Sequence, residues 1–338
     1  MADKTFVDDM GLPEELVPLL VHETWVNVCE FASIKRDGTP VTVPLGVFPG
    51  EKGRTIGISA RLAFPSKAER VRKNPKVCLL YSEPKGSPVE NPPVILVYGH
   101  ATVRDADLQA NLDRFAREQT ARVQTFRKMP SFMLRWMSGF LAAIWIEVTP
   151  LKILWWPDAN LEKPAQQWHA PEGIFAPPSD PPPKPRPLQH KPVVTPSSDW
   201  RQEIAYAFNR LGSPILTVVD RAGYPVQFRA RSGVLQSDGV RLDLPPAMPA
   251  EAKGRACLTF HTIQVKNGEM VANENRHFIG DIIQDGAAAL FRVERQLPSL
   301  SAKFNGPGDV LSYIRLIRAS RKRAKAEAAR RGQPMPKI

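Results

Sequence analysis

The sequence predicts a mainly β chain in which one β-barrel is followed by a related, partly degenerate second one. Short runs of apolar and β-branched residues alternate with Gly-, Pro- and Asp-containing turns along most of the 338 residues, as is typical of antiparallel sheet. A proline-rich stretch divides these runs into two groups. Motifs of the first group recur in the same order in the second, which indicates two related halves.

The first half is expected to hold six strands and four helices. The strands are predicted at 25–34, 40–48, 54–60, 76–83, 94–104 and 144–155. The helices are predicted at 13–20, 66–73, 105–127 and 131–141, and Leu108, Leu112 and Phe115 have helical spacing in the third. Six antiparallel strands with a few covering helices suit a small Greek-key barrel.

The stretch between the halves holds 12 of the 34 prolines, from Pro157 to Pro196. Because proline fixes its own backbone angle and lacks an amide donor, this stretch is expected to be an extended linker or a strap over a surface. The predicted division is a first domain at 1–157, a linker at 158–198, a second domain at 199–303 and a basic helical tail at 304–338.

Three pairs of segments suggest that the halves arose by duplication. They are "FASIKRDGTPVTVPLGVF" (31–48) with "LTVVDRAGYPVQFRARSGV" (216–234), "NPKVCLLY" (74–81) with "KGRACLTF" (253–260), and "VYGHATV" (97–103) with "FIGDIIQ" (278–284). The second pair aligns Cys78 with Cys257. Chance similarity between two β-rich domains is the alternative interpretation.

The net charge is +12, and much of it lies in "RLIRASRKRAKAEAARRGQPMPKI" at 315–338. We interpret this segment as an exposed basic helix with a frayed end; the alternatives are docking on a partner subunit or on an acidic surface. No aromatic residue follows Tyr313, which argues against a nucleic-acid partner.

Other classes of protein are disfavoured by what the sequence lacks. The apolar run "FLAAIWIEV" is too short to cross a membrane, so no membrane partner is expected. The acidic N-terminus lacks the order of a signal peptide, and Cys29, Cys78 and Cys257 have no CxxC spacing. These features predict a cytoplasmic protein with reduced thiols and no metal site.

The motifs "DGTPVTVPLGVF", "TIGISARLAFPSKAERVRKNPKVCLLY" and "VYGHATV" together resemble the flavin-binding split barrels of the pyridoxamine 5'-phosphate oxidase-like family. The resemblance covers residues 20–156, with a degenerate copy over 200–300. It implies two tandem split β-barrels of Greek-key type and an FMN cofactor in a groove between barrels. A deazaflavin or haem takes the place of FMN in some members of that family.

The resemblance also implies a set of cofactor-binding residues. Lys67 would contact the cofactor phosphate, and Trp155 would lie against the cofactor. The strand end beside the phosphate would be formed by Ser59, Ala60 and Arg61, and the strand under the flavin ring by Val43, Pro44 and Leu45.

The residues of "PSKAERVRKNP" provide a physical reason for an anion site. Ser66 and Glu69 have the spacing of a capping box, so a helix should begin at Ser66 with unpaired amides that attract anions. Lys67 and Arg61 would converge on these amides, with Arg70 one turn on, while Glu69 would compete with a bound phosphate. Arg72 and Lys73 are expected to face solvent. The plainer alternative is a capped surface helix with solvated charges.

The second half reads "PAMPAEAKGRACL" at the matching place and retains only Lys253 and Arg255 of these cations. One site per chain is therefore expected, in a groove completed by the second barrel as an intrachain pseudo-dimer, or by a homodimer.

Two departures from the family motif bear on the reaction. "VTVPLG" carries no phosphate-binding Arg, and "PPVILVYG" carries no Gln before its Gly. Both argue against pyridoxamine phosphate oxidation and favour a broader FMN- or deazaflavin-dependent oxidoreductase that acts on an unidentified small molecule. No catalytic triad or HExxH motif is present, so no catalytic residue is assigned. The alternatives are a non-enzymatic flavin- or haem-binding carrier or sensor, and an interaction protein that uses its basic tail.

Overall fold

Two seven-stranded antiparallel sheets form the framework of the computed structural model, which describes residues 10–50, 54–185, 196–248, 251–266, 269–285, 288–298 and 307–338. The strands of the first sheet are β1 (Val28–Ile34), β2 (Pro40–Pro49), β3 (Ile56–Arg61), β4 (Lys76–Tyr81), β5 (Val94–Arg104), β6 (Ala143–Trp156) and β7 (Gln166–His169). Each of the first six lies within three residues of its predicted bounds.

The first sheet closes on itself. Its order is β3-β2-β1-β4-β5-β6-β7, and β3 also pairs with β6, so β1 to β6 form a closed barrel. Side chains that alternate along these strands fill the interior, among them Phe31, Ile58, Leu79, Val97 and Ile146, all of which are fully buried. The period-two alternation of apolar residues therefore specifies which side of each strand faces the core.

Helices cover the outside of the barrel. They are α1 (Val17–Leu20), α2 (Ser66–Lys73), α3 (Leu108–Arg122), α4 (Gln124–Arg127) and α5 (Ser131–Leu141). The predicted helix at 105–127 is interrupted at Val123, whose backbone is extended, and only the last four residues of the predicted helix at 13–20 are helical. Leu112 and Phe115 of α3 pack near Phe48 and Trp145 on the barrel's outer face. No helix of the described part is long and apolar enough to cross a bilayer.

The second sheet is open. It consists of β8 (Ile215–Val219), β9 (Pro225–Arg229), β10 (Ser232–Leu235), β11 (Val240–Asp243), β12 (Gly254–Lys266), β13 (Glu269–Asp285) and β14 (Ala288–Leu297), in the order β10-β11-β14-β13-β12-β8-β9. Within the described ranges its end strands β10 and β9 do not pair, so the sheet forms a half-barrel. A helix, α6 (Trp200–Leu211), packs on it through Ile204 and Ala207.

Strand order and register show that the two sheets are related. The order β2-β1-β4-β5-β6 in the first sheet matches β9-β8-β12-β13-β14 in the second. Ala32 pairs with Cys78, and at the equivalent place Thr217 pairs with Cys257. The register shifts immediately before Gly99 in the first sheet and immediately before Gly280 in the second.

The turns after β1 and β8 share one geometry as well. Gly38 and Gly223 both have φ +80°, a conformation that favours glycine. Gly38 N donates to Lys35 O at 3.0 Å, and Gly223 N donates to Asp220 O at the same distance. The predicted tandem arrangement with a degenerate second copy is thus confirmed.

The proline-rich segment and the C-terminal helix both lie on the first barrel. Asp180 accepts hydrogen bonds from the amides of Asp105 and Ala106 at 2.7 and 2.8 Å, so this part of the segment is a strap. The C-terminal helix α7 (Pro307–Arg330) buries Ile317 and Ala324 against the barrel and its helices. The predicted basic helix is thus present and exposes many of its cations, but it docks on the first barrel instead of forming a frayed tail.

The two halves meet across a buried layer of polar side chains. The carboxylate of Glu30 on β1 is fully buried and lies 2.7 Å from His261 Nε2 and 3.1 Å from Arg229 Nη2, both in the second sheet. Gln227 donates to the carbonyls of Glu30 and Cys78 at 2.8 and 3.1 Å. Each contact joins the halves, so the chain forms an intrachain pseudo-dimer.

We predict that Arg229→Met lowers the free energy of unfolding by about 2–3 kcal/mol, because the buried carboxylate of Glu30 loses its charged partner. The control Arg255→Met breaks ion pairs with Asp281 and Glu294, which are largely exposed, and should cost less than about 1 kcal/mol. Urea unfolding measures both variants. Equal effects would contradict the importance given to the buried carboxylate.

Candidate functional site

The candidate site is built around α2, which follows β3 and a short loop. Ala68 and Val71 bury one face of this helix against the barrel. Asn74 is extended and precedes Pro75, so the helix ends where the sequence predicts. The predicted start at Ser66 is also found, but the capping box is wrong, because no side chain caps the helix.

Lys67 is the central residue of the site. Its side chain is half-buried and forms no ion pair or hydrogen bond with any described residue. Burial, and then the nearby charges of Arg70 and Arg61, lower the pKa of Lys67 to about 8. An anion that binds beside such a lysine stabilises the charged form of its side chain.

Arg70 lies one turn along α2 from Lys67 and shares its face of the helix. Its Nε donates to Ser33 Oγ at 2.8 Å, and burial lowers its pKa to about 10. The guanidinium of Arg61 lies 4.5 and 5.0 Å from the ring centroids of Phe115 and Phe140. These rings therefore hold Arg61 in place, and its positive charge is near enough to lower the pKa of Lys67.

The second sheet supplies the opposite wall. The thiol of Cys257 on β12 interacts with the backbone of Thr42 on β2, and Thr259 Oγ1 lies 3.2 Å from His277 Nδ1 on β13. Burial lowers the pKa of His277 to about 3, with further contributions from nearby cations that include Arg70 and Lys67. His277 is thus neutral at pH 7 and lies within electrostatic range of the cations of α2.

We use the term inter-barrel groove for the junction where Lys67 and Arg70 of the first barrel lie within electrostatic range of Cys257 and His277, which are buried in the second sheet beside Thr259. The first barrel supplies the cations of this groove and the second sheet supplies the neutral polar wall. Neither half forms the groove alone.

Glu69 does not compete for these cations in the way the sequence suggests. Its carboxylate forms an ion pair with Arg330 at the end of α7, and Arg331 lies 4.0 Å away. Arg331 also pairs with Asp105 at 2.8 Å. The C-terminal helix therefore neutralises the one acidic side chain in the first turn of α2.

The expectation that Arg72 faces solvent is wrong. Its guanidinium forms an ion pair with the buried carboxylate of Asp105, and it also donates to the carbonyl of Asp180 in the strap. Lys73, by contrast, is exposed. The sequence alone could not show that Arg72 is paired and Lys73 is exposed, because the partners of Arg72 come from distant parts of the chain.

The structure brings Arg61, Lys67 and Arg70 together but does not gather all of the other predicted residues beside them, since Trp155 lies opposite Ile95 at the end of the barrel away from α2. Ser66 is exposed at the first position of α2, and Ser59 is half-buried on β3 opposite Trp145. Ala60 is fully buried in the barrel core.

The predicted ring-binding residues lie on β2 and β6. Pro44 shares a face of β2 with Thr42, whose hydroxyl lies 2.5 Å from that of Thr217 in the second sheet. Val43 and Leu45 share the other face, where Leu45 packs against the barrel core. Trp155 is buried in that same core.

Among its described residues, the second half has no comparable cation cluster at the equivalent place. Lys253 pairs with Glu251, and Arg255 pairs with Asp281 and Glu294 at 3.1 and 2.7 Å. The cations that the duplication retained are thus already neutralised.

Sequence reasoning missed how the groove is completed. His277 lies in the segment "NENRHFIGD", in which nothing indicates that it lies near Lys67 in the fold. The signal that could have found it is the alignment of "VYGHATV" with "FIGDIIQ", which places His277 on the equivalent of β5, one residue before the matched segment. The partner of Glu69 lies 261 residues away and left no local signal.

A separate cavity of about 80 Å³ lies at the other end of β4, beside Tyr81, Glu83 and Gly86. Pockets for cofactor-sized molecules usually exceed about 300 Å³. This cavity is too small for a flavin and is remote from the cations of α2.

Comparisons with known proteins give structural likeness only. No family model and no curated protein matches the chain. Solved structures similar to part of it include a candidate pyridoxamine 5'-phosphate oxidase from Listeria innocua, an F420 reductase, and a pyridoxamine 5'-phosphate oxidase-related, FMN-binding protein from Nostoc punctiforme.

The matches cover 38%, 42% and 39% of this chain and 86%, 98% and 74% of those proteins, respectively. The identities are 20%, 15% and 12%, and the TM-scores are 0.26, 0.30 and 0.27. Part of the chain is thus similar in fold to these solved structures.

We predict that Lys67→Met stabilises the ligand-free protein by about 1 kcal/mol, because it removes a charge from beside Arg70 and Arg61. In the wild-type protein, unfolded Lys67 keeps its proton up to its ordinary pKa of 10.5, whereas the folded form loses it near pH 8. The contribution of this residue to stability should therefore rise with pH between these values. Thermal unfolding measures both effects.

The matched control is Lys73→Met, one and a half turns away on the same helix, where the side chain is exposed and no such gain is expected. A loss of stability in the Lys67 variant, or the same pH dependence in both variants, would contradict the inference that the charge on Lys67 destabilises the folded protein.

Proposed function

We propose that the protein is an oxidoreductase that uses FMN or a deazaflavin, with the cofactor phosphate bound at the cationic side of the inter-barrel groove. The observation that carries this proposal is Lys67, a half-buried lysine without an anionic partner among the described residues, held beside two arginines. Such a cluster fits a phosphate, which would relieve the repulsion between the cations.

Each residue of the groove has a distinct role in this proposal. Lys67 and Arg70 bind the phosphate, and the first amides of α2 add donors on the same side. Arg61 contributes charge while it stays fixed between its two phenylalanine rings. Arg330 neutralises Glu69, so the first turn of α2 carries no opposing net charge.

When bound, the flavin or deazaflavin would supply the hydride acceptor or donor for the reaction. The protein's part is to anchor the phosphate beside the buried, neutral layer that Thr259 and His277 form in the second sheet. A single cofactor per chain is expected, since the cations of the second half are paired with carboxylates.

Both cofactor classes carry phosphate, so the cation cluster suits either one. FMN-binding and F420 reductase proteins both occur among the structural neighbours. Haem is less well supported, because His261 is fully buried against Glu30 and His277 contacts Thr259. We propose a small-molecule substrate that reaches the groove from solvent.

We predict that Lys67→Met weakens the binding of FMN, or of the deazaflavin if that is the cofactor, by about 10- to 100-fold, the loss expected for a charged hydrogen bond. Wild-type affinity should also fall above pH 8, because Lys67 must regain its proton to bind the phosphate. Titration of each cofactor, followed by its fluorescence between pH 7 and pH 9.5, measures both effects.

The control Lys73→Met removes an exposed lysine from the same helix and should change neither the affinity nor its pH dependence. Lys67→Arg should keep binding at pH 9.5, because its charge persists there. Binding by the Lys67→Met variant as tight as that of the wild-type protein would remove the phosphate from this groove.

A further inference from the structure

The outer surface of α5 combines exposed aromatic side chains with cations. Phe132 is 67% exposed, Trp136 is 40% exposed and Met133 is 37% exposed. They occupy the first two turns of the helix, where Phe132 and Trp136 are four residues apart and share a face. Large side chains exposed together on one helix are unusual on a surface that meets only water.

Exposed cations lie on either side of this patch, in a stretch of sequence that lacks acidic residues. Arg127, Lys128 and Arg135 are exposed on either side of it, and the sequence from 119 to 146 contains no Asp or Glu. None of the three forms an ion pair with a described residue. No carboxylate of the described residues therefore pairs with these three cations.

The neighbouring helix α7 extends the positive surface. Arg315, Arg318, Lys322 and Lys325 are exposed at intervals that place them on one face of that helix. No Asp or Glu occurs from 310 to 326. The two helices meet at Gly139 of α5, which lies three residues beyond Trp136 and contacts the backbone of Arg321. The cationic face therefore adjoins the aromatic patch.

We propose that the exposed faces of α5 and α7 form a docking surface for an anionic lipid bilayer. Aromatic and apolar side chains flanked by lysine and arginine are typical of helices that lie in a membrane interface, where the rings enter the headgroup region and the cations meet lipid phosphates. The surface lies on the membrane and does not cross it. This inference does not depend on the proposed oxidoreductase function.

Charge decides between a bilayer and a second copy of the chain. A two-fold contact through this surface would place the same cations against their own copies, which repel. An anionic bilayer is complementary to the cations and also accepts the aromatic side chains. Two adjacent helices can also contact a flat lipid surface together, whereas they would not both fit into a narrow groove of a partner.

The test is sedimentation of the full chain with vesicles of phosphatidylcholine alone or of phosphatidylcholine with one third phosphatidylglycerol. The protein should bind only the anionic vesicles and should be released by about 0.5 M salt, which screens the attraction. The double variant Phe132→Ser/Trp136→Ser should lower the partition coefficient at least about tenfold. Lys322→Gln/Lys325→Gln should lower it about thirtyfold, since each cation near the surface contributes about fivefold.

Matched controls separate this surface from exposed residues in general. Phe175→Ser removes an aromatic side chain that is 78% exposed on the strap, and Lys73→Gln/Lys85→Gln removes two exposed lysines from other faces. Neither should change vesicle binding. Trp136→Phe should retain binding but lose part of the blue shift in fluorescence that accompanies it.

Three outcomes would overturn the proposal. The first is no binding to anionic vesicles, or binding that the α5 and α7 variants leave unchanged. The second is a dimer in solution that Phe132→Ser/Trp136→Ser dissociates, which would assign the patch to a second copy. The third is binding of a single-stranded oligonucleotide that the same variants abolish, without any vesicle binding.

Discussion

The buried carboxylate of Glu30 is the feature on which the pairing of the two halves depends. It lies in the polar layer between them, and both its ion-pair partner Arg229 and its hydrogen-bond partner His261 come from the second sheet. A buried charge is tolerated only when such partners are in place, so the halves have one favourable docking arrangement. That arrangement packs β12 and β13 near β2 and brings Cys257 and His277 within electrostatic range of the cations of α2.

The groove shows how duplication can separate two roles. The first half kept a closed barrel and its basic helix, whereas the second opened into a half-barrel whose remaining cations pair with carboxylates. What the second half retained is strand register, including the pairs equivalent to Ala32–Cys78 and the irregularity at Gly280. The second half could thus border the site of the first half without binding a cofactor itself.

Much of the fold could be predicted from the sequence, because alternation and turn residues are local signals. The six strands of the first barrel and the bounds of α2 follow from such patterns. The docking of α7 could not be predicted, because its apolar side is formed by small residues such as Ala324 and Ala328 amid many cations. In the candidate site, the family motif points to Lys67 and Arg61 and helical spacing to Arg70, whereas His277 and Arg330 required the three-dimensional arrangement.

The central claim is that one cofactor-sized anion binds per chain, between a cationic first barrel and a second half that supplies only a wall. The most direct measurement is the stoichiometry of FMN or deazaflavin binding to the intact chain, with the mass of the complex determined in solution. The account predicts one cofactor per 338-residue chain. Two cofactors per chain, or saturation at one cofactor per two chains, would contradict it.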